Sequence, residues 1–200
     1  IVPFQREALK IWEHTLPFMN AIGVDDYLSE TDDESETASI FVNGTISVSQ
    51  ANSLVNKLVS VTADRYLFAA ITPTAPADLL DLPDSSHNQL TITVGTGAGQ
   101  SATAAQLNSI KNKTTENVLT ENITTVTGTV SDMNTFLGNI SDYVENANSS
   151  ARAESNYTFT PTSATQSASD LNTLNTNATN ISLDNAVSYT HLTLPTKVTV

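Results

Sequence analysis

Ser101–Ile110 reads SATAAQLNSI and Ser131–Leu137 reads SDMNTFL. In each stretch a small or capping residue leads, Leu or Met follows, and another apolar residue comes three or four positions on. The same phrase occurs at Ser49–Leu58 (SQANSLVNKL), Thr74–Leu82 (TAPADLLDL) and Ser167–Leu174 (SASDLNTL). The anchors Leu54, Leu79, Leu107, Met133 and Leu171 are 25, 28, 26 and 38 residues apart, and the longest gap holds a polar insertion near residues 146–155. Apolar residues at i and i+3 or i+4 share one helix face, and Ser or Thr supplies an N-cap oxygen. Each copy therefore predicts a short helix.

Strand-like runs lie between the copies, at Tyr66–Ile71, Leu90–Val94, Ile123–Thr129 and Tyr157–Thr160. In Leu90-Thr91-Ile92-Thr93-Val94 the apolar residues alternate with Thr, as a half-buried strand requires. One strand and one short helix cannot bury an apolar face alone, whereas stacked neighbours can. The expectation is a mixed α/β repeat: strand-plus-short-helix units stacked like a solenoid, with an N-terminal helix. The alternative is an all-β sandwich, with the Leu-centred segments as loops. The repeat region spans residues 39–186. It opens with SIFVNGTISV, which predicts either a strand or a hairpin turning at Asn43-Gly44.

Before the repeats, residues 1–23 place Phe4, Ala8, Trp12 and Leu16 on one helical stripe closed by Pro17. Residues 24–38 form an acidic linker. Segments such as SATAAQLNSIKNKTTENV and SASDLNTLNTNATNISLDNA resemble the Thr/Ala/Asn-rich tandem repeats of very large bacterial surface and secreted proteins, marine and cyanobacterial ones among them. The resemblance covers about residues 45–186. It implies an extracellular or cell-surface location, a structural or adhesive role, and neighbouring repeats of a parent chain as partners. It carries over no catalytic residue. Val187–Thr196 (VSYTHLTLPT) resembles a translated transposase sequencing adapter over ten consecutive positions. Residues 187–200 are accordingly expected to be an artefact, and His191 and Lys197 carry no functional argument.

Composition narrows the function classes. The net charge is −13, from 8 Lys+Arg against 21 Asp+Glu, and the cations are scattered. A phosphate backbone or an anionic membrane needs clustered cations, so neither is an expected partner. No apolar run approaches the roughly 20 residues that cross a bilayer, and no signal-peptide pattern occurs. With no Cys, thiolate metal sites, thiol nucleophiles and disulfides are excluded. Polarity comes from 30 Thr, 21 Ser and 19 Asn, residues of strands, turns and helix caps. This richness also creates eight N-x-S/T sequons, from Asn43 to Asn180.

Three sequence features invite chemistry. Gly95-Thr96-Gly97-Ala98-Gly99-Gln100 follows a strand and precedes a helix, as a dinucleotide fingerprint does. Gln100 occupies the third glycine position and no Lys follows, so a plain turn is the simpler reading. The acidic linker offers Asp25, Asp26, Asp32, Asp33 and Glu34 as oxygen ligands for calcium. Their spacing is not that of an EF-hand, and a solvated charged linker is the simpler reading there too. His14 and His87 are the histidines available for acid–base work, and neither belongs to an H-E-x-x-H pair. FQREALKIW at residues 4–12, followed by Ser39–Asn43, resembles the opening helix and next strand of matrixin-type secreted metalloproteases. That resemblance implies a second reading, the non-catalytic flank of a secreted metalloprotease-like hydrolase. The zinc-binding helix that should follow is replaced by repeats. No enzyme activity, catalytic residue or cofactor is expected, calcium apart.

Overall fold

The computed structural model describes residues 38–59, 65–83, 88–147, 149–162 and 166–182. The expected N-terminal helix, residues 24–37 of the acidic linker and the tail 187–200 lie outside the described residues. The described region is mixed α/β. Its strands are β1 (Ala38–Ile46), β2 (Arg65–Thr74), β3 (Asn88–Val94), β4 (Gln100–Thr103), β5 (Val118–Leu119), β6 (Ile123–Gly128), β7 (Tyr143–Val144) and β8 (Thr158–Pro161). Its helices are α1 (Val48–Val59), α2 (Pro76–Leu79), α3 (Ala104–Lys111), α4 (Val130–Gly138) and α5 (Ala168–Asn177).

The strands form two sheets. One has the order β1-β2-β3-β5-β7, the other β4-β6-β8, and every pair is parallel. In both sheets the spatial order follows chain order. The helices adjoin in the same sequence, α2 against α3, α3 against α4, and α4 against α5. A sandwich of antiparallel strands with Leu-centred loops does not describe this arrangement.

Alternation fixes which side of each strand faces inward. Leu90, Ile92 and Val94 of β3 are buried while Thr91 and Thr93 are not, as the Thr-alternating sequence requires. Leu67, Ala69 and Ile71 do the same on β2. Opposite them lie Leu79 and Leu82, Leu107 and Ile110, Met133 and Phe136, and Leu174 from the helical segments. The i, i+3 pairing thus holds, with two corrections. In α1 the buried residues are Ala51 and Val55 while Leu54 is only partly buried, and in α5 Leu174 is buried while Leu171 is partly so. Both predicted anchors still pack against the core, at its margin.

Four of the five helices are capped by Ser or Thr; the predicted copies at Ser49 and Ser131 start late, and those at Thr74 and Ser101 start early. Ser47 caps α1, Thr103 caps α3, Thr129 caps α4 and Ser167 caps α5, each hydroxyl accepting from the backbone N–H three residues on. In α1 and α3 a Gln side chain returns the bond to the cap's own N–H, at 2.9 and 3.0 Å, closing a capping box. Thr74 is not a cap; α2 begins with Ala75 and Pro76. Adjacent helical segments are tied by amides. Nδ2 of Asn52 donates to the carbonyl of Asp81 (2.9 Å), Asn108 to Asp132 (3.1 Å) and Asn134 to Asp170 (3.1 Å).

At two glycine-containing segments the structure selects between the sequence alternatives, the strand at residues 39–48 and the plain turn at residues 95–99. SIFVNGTISV is not a hairpin: β1 runs through it as one strand beside β2, with register slipping by two residues between Phe41 and Thr45. Gly44 takes up the slip at φ +99°, a conformation L-residues rarely adopt. The Gly95–Gly99 segment does not open a helix. It turns from β3 into β4, and α3 starts only after Thr103. Gly95 sits at φ +91° against the next turn of chain, with Asn122 Nδ2 donating to its carbonyl (2.9 Å), and a Cβ there would lie 2.7 Å from Gln100 Oε1.

Candidate functional site

A parallel sheet is normally covered on both faces. Here the outward face of β1, β2 and β3 carries a cluster of its own. The register places Phe41 beside Phe68 and Phe68 beside Gln89, forming one row across three strands. The next row is Thr45, Ala70 and Thr91. The Phe41 and Phe68 rings stack at 4.2 Å with planes 10° apart, and Tyr66 lies 6.4 Å from Phe68 on the same face. Ala70 is small, so the second row dips below the first. The result is a shallow open groove of about 500 Å³, with Glu116 on its far wall. Phe41 remains 59% exposed. The two rings are packed face to face, so each covers one face of the other.

The groove's polar side chains are uncommitted. Gln89, Thr91 and the Glu116 carboxylate make no side-chain hydrogen bond among the described residues. Phe41 is the exposed aromatic of the group, and Tyr66 and Phe68 are half-buried beside it. The sequence signal was available in part. In Tyr66-Leu67-Phe68-Ala69-Ala70-Ile71 the core alternation of Leu67, Ala69 and Ile71 leaves Tyr66 and Phe68 facing the other way. Phe41's position beside them depends on the slipped pairing of β1, which composition does not encode.

A second cluster is closed to solvent. The polar insertion expected near 146–155 links β7 to β8, and Ala151 bridges antiparallel to Val144. This brings in Arg152, which is buried. Its Nη1 donates to the carbonyls of Thr120 and of Ile123, the latter at 2.8 Å, and its guanidinium sits 4.7 Å from the Tyr157 ring centre. Tyr157 Oη shares a 2.6 Å hydrogen bond with Thr120 Oγ1, whereas the buried Tyr143 hydroxyl has no partner among the described residues. Burial pushes both phenols above their ordinary pKa, aided at Tyr143 by the nearby Asp142 charge and opposed at Tyr157 by the Thr120 bond and Arg152. These groups are buried inside the fold.

Of the residues singled out in the sequence, Asp25, Asp26, Asp32, Asp33, Glu34, His14 and His87 lie outside the described residues. Among the described residues, no three His, Cys, Asp or Glu side chains gather as a metal cluster. Nor is any helix there long and apolar enough to cross a membrane. No protein-family model matches the chain, and no curated protein or solved structure matches it.

Proposed function

We propose that the chain is a non-catalytic segment of an extracellular structural or adhesive repeat protein, built as a solenoid-like stack of strand-plus-short-helix units. One observation carries this reading: spatial order follows chain order in both parallel sheets and in the row of helices. Nearest-neighbour contact of that kind is what a stack requires. The three Asn-to-carbonyl bonds between helical segments support it, because each joins one helical segment to the next. An extended stack presents a long sheet face, and the aromatic groove lies on that face. Neighbouring repeats of a parent chain would be its first partners.

Pulling the protein from its ends with optical tweezers tests the reading. A stack unfolds in several steps, each freeing about 26 residues, or roughly 90 Å of chain at about 3.4 Å per residue. Release of the whole region in one step would overturn it. The non-catalytic part predicts no cleavage of casein or of a generic ester. Activity that disappears on changing His14 or His87 would contradict that part.

A further inference from the structure

We propose that the side of α5 turned away from α4 seats a further strand-plus-helix unit of the same kind, with Asn172 as its hydrogen-bond donor. The inference deepens the stack reading and rests on it. The fifth residue after the cap is Asn52 in α1, Asn108 in α3, Asn134 in α4 and Asn172 in α5. The first three donate to a carbonyl of the next helical segment, and their Oδ1 atoms are closed to solvent. Asn172 is exposed, and its amide makes no hydrogen bond among the described residues.

Two apolar positions agree. The first residue after the cap is fully buried in α3 and α4, as Ala104 and Val130, whereas Ala168 of α5 is exposed. The fourth is fully buried as Leu107 and Met133, whereas Leu171 is half-buried. Leu174 is fully buried, so α5 is docked on its inner side and bare where its predecessors meet a neighbour.

The ladder itself defines the occupant. Asp132 and Asp170, whose carbonyls accept from Asn108 and Asn134, each lie three residues after a Ser or Thr cap. A helical carbonyl keeps a second lone pair after its own helix bond, and that lone pair can take the amide. The matching partner for Asn172 is therefore the first turn of a Ser- or Thr-capped helix. The small sheet calls for a strand at the same level. Ile181 bridges Phe159 of β8 in parallel, with the Phe159 N–H donating to the Asn180 carbonyl and the Ser182 N–H to the Phe159 carbonyl. Val126 of β6 pairs with Phe159 too, so Ile181 begins a next rung in the register that Val126 holds in its own. Sheet and helix row advance in the same direction, so one strand-plus-helix unit fills both places.

Inserting a second copy of residues 127–147 after Ile181 of the full chain tests this. The junction puts Ile181 in the place of Val126 and sets a second Thr129-capped helix after α5. The inserted helix should add to the far-ultraviolet circular dichroism, and amide exchange in α5 should slow about tenfold. Asn172→Ala should speed α5 exchange about fivefold in the extended chain and leave it unchanged in the original. Asn108→Ala, whose bond exists in both chains, should loosen α3 equally in both. An insert that stays unfolded, unchanged exchange in α5, or an Asn172→Ala effect of equal size in the two chains overturns the proposal. So does sedimentation showing that the original chain dimerises and that Leu171→Asp abolishes the dimer, which would give this face to a second copy. The unfolding steps that test the stack are read on the original chain, so a failure here and a failure of the stack are told apart.

Discussion

Arg152→Ala removes a buried cation that reaches from the β7–β8 insertion into the sheets. Its Nη1 holds the carbonyls of Thr120 and Ile123, and its plane covers the Tyr157 ring. A hydrogen bond to a charged group contributes about 1.5–3 kcal/mol net, and a desolvated cation–π contact contributes up to about 2 kcal/mol. Two effects reduce the loss. Thr120 O keeps the Ile123 N–H at 2.9 Å, so it is not orphaned. Removing the charge also returns its desolvation cost, which is larger here because Nε has no partner. The net loss should be about 2–3 kcal/mol, a large share of the roughly 5–15 kcal/mol that holds a domain together. Urea unfolding, followed in the near-ultraviolet circular dichroism of Tyr143 and Tyr157, reads it as a midpoint lowered by about 1–2 M. Arg152→Lys should recover about half, since an ammonium can reach a carbonyl but cannot stack as a plane. A loss below about 0.5 kcal/mol for Arg152→Ala would refute the assigned role.

Tyr143→Phe removes a buried hydroxyl without a partner, so it should be neutral or stabilising by about 1 kcal/mol in the same assay; a clear destabilisation would reveal a bond. Both Tyr143 and Tyr157 have folded pKa values raised above the free phenol, so their neutral forms favour the fold. That contribution is complete below about pH 10 and is lost as pH rises beyond it, so the urea midpoint should fall as pH is raised above about 10, less steeply in Tyr143→Phe. Thr103→Ala breaks the capping box of α3 and should cost about 1 kcal/mol. Gly95→Ala must accommodate a Cβ 2.7 Å from Gln100 Oε1 at φ +91°, and should cost about 1–3 kcal/mol by thermal or urea unfolding.

The helices and long strands were legible because each carries its own period. Leu107 and Ile110, or Met133 and Phe136, announce a helix face by spacing alone, and Leu90–Val94 announces a strand by alternation. The Ser/Thr-x-x-Gln/Asp boxes at 47, 103, 129 and 167 were the sharper start signal, and they mark the starts of α1, α3, α4 and α5, though not of α2. β5 and β7 have two residues each, too short for any period, and exist because β3 offers Val118 and Leu119 a partner strand. Single-strand β1 depends on pairing with β2 through a slipped register, which local turn chemistry at Asn43-Gly44 argues against. The groove and the Arg152 cluster were hidden for a related reason. Their members are distant in sequence and meet only through parallel register or through an insertion whose polar composition reads as loop.

Hydrogen exchange on Leu107→Ala tests the stack most directly. Leu107 is fully buried between the sheets and the helix row, and its truncation should remove about 2–5 kcal/mol at that level of the structure. If contacts run mainly between sequence neighbours, protection falls in about residues 75–135, while β8 and α5 exchange as in the wild type. A uniform loss of protection from β1 to α5 would contradict the stack and make the chain one cooperative domain.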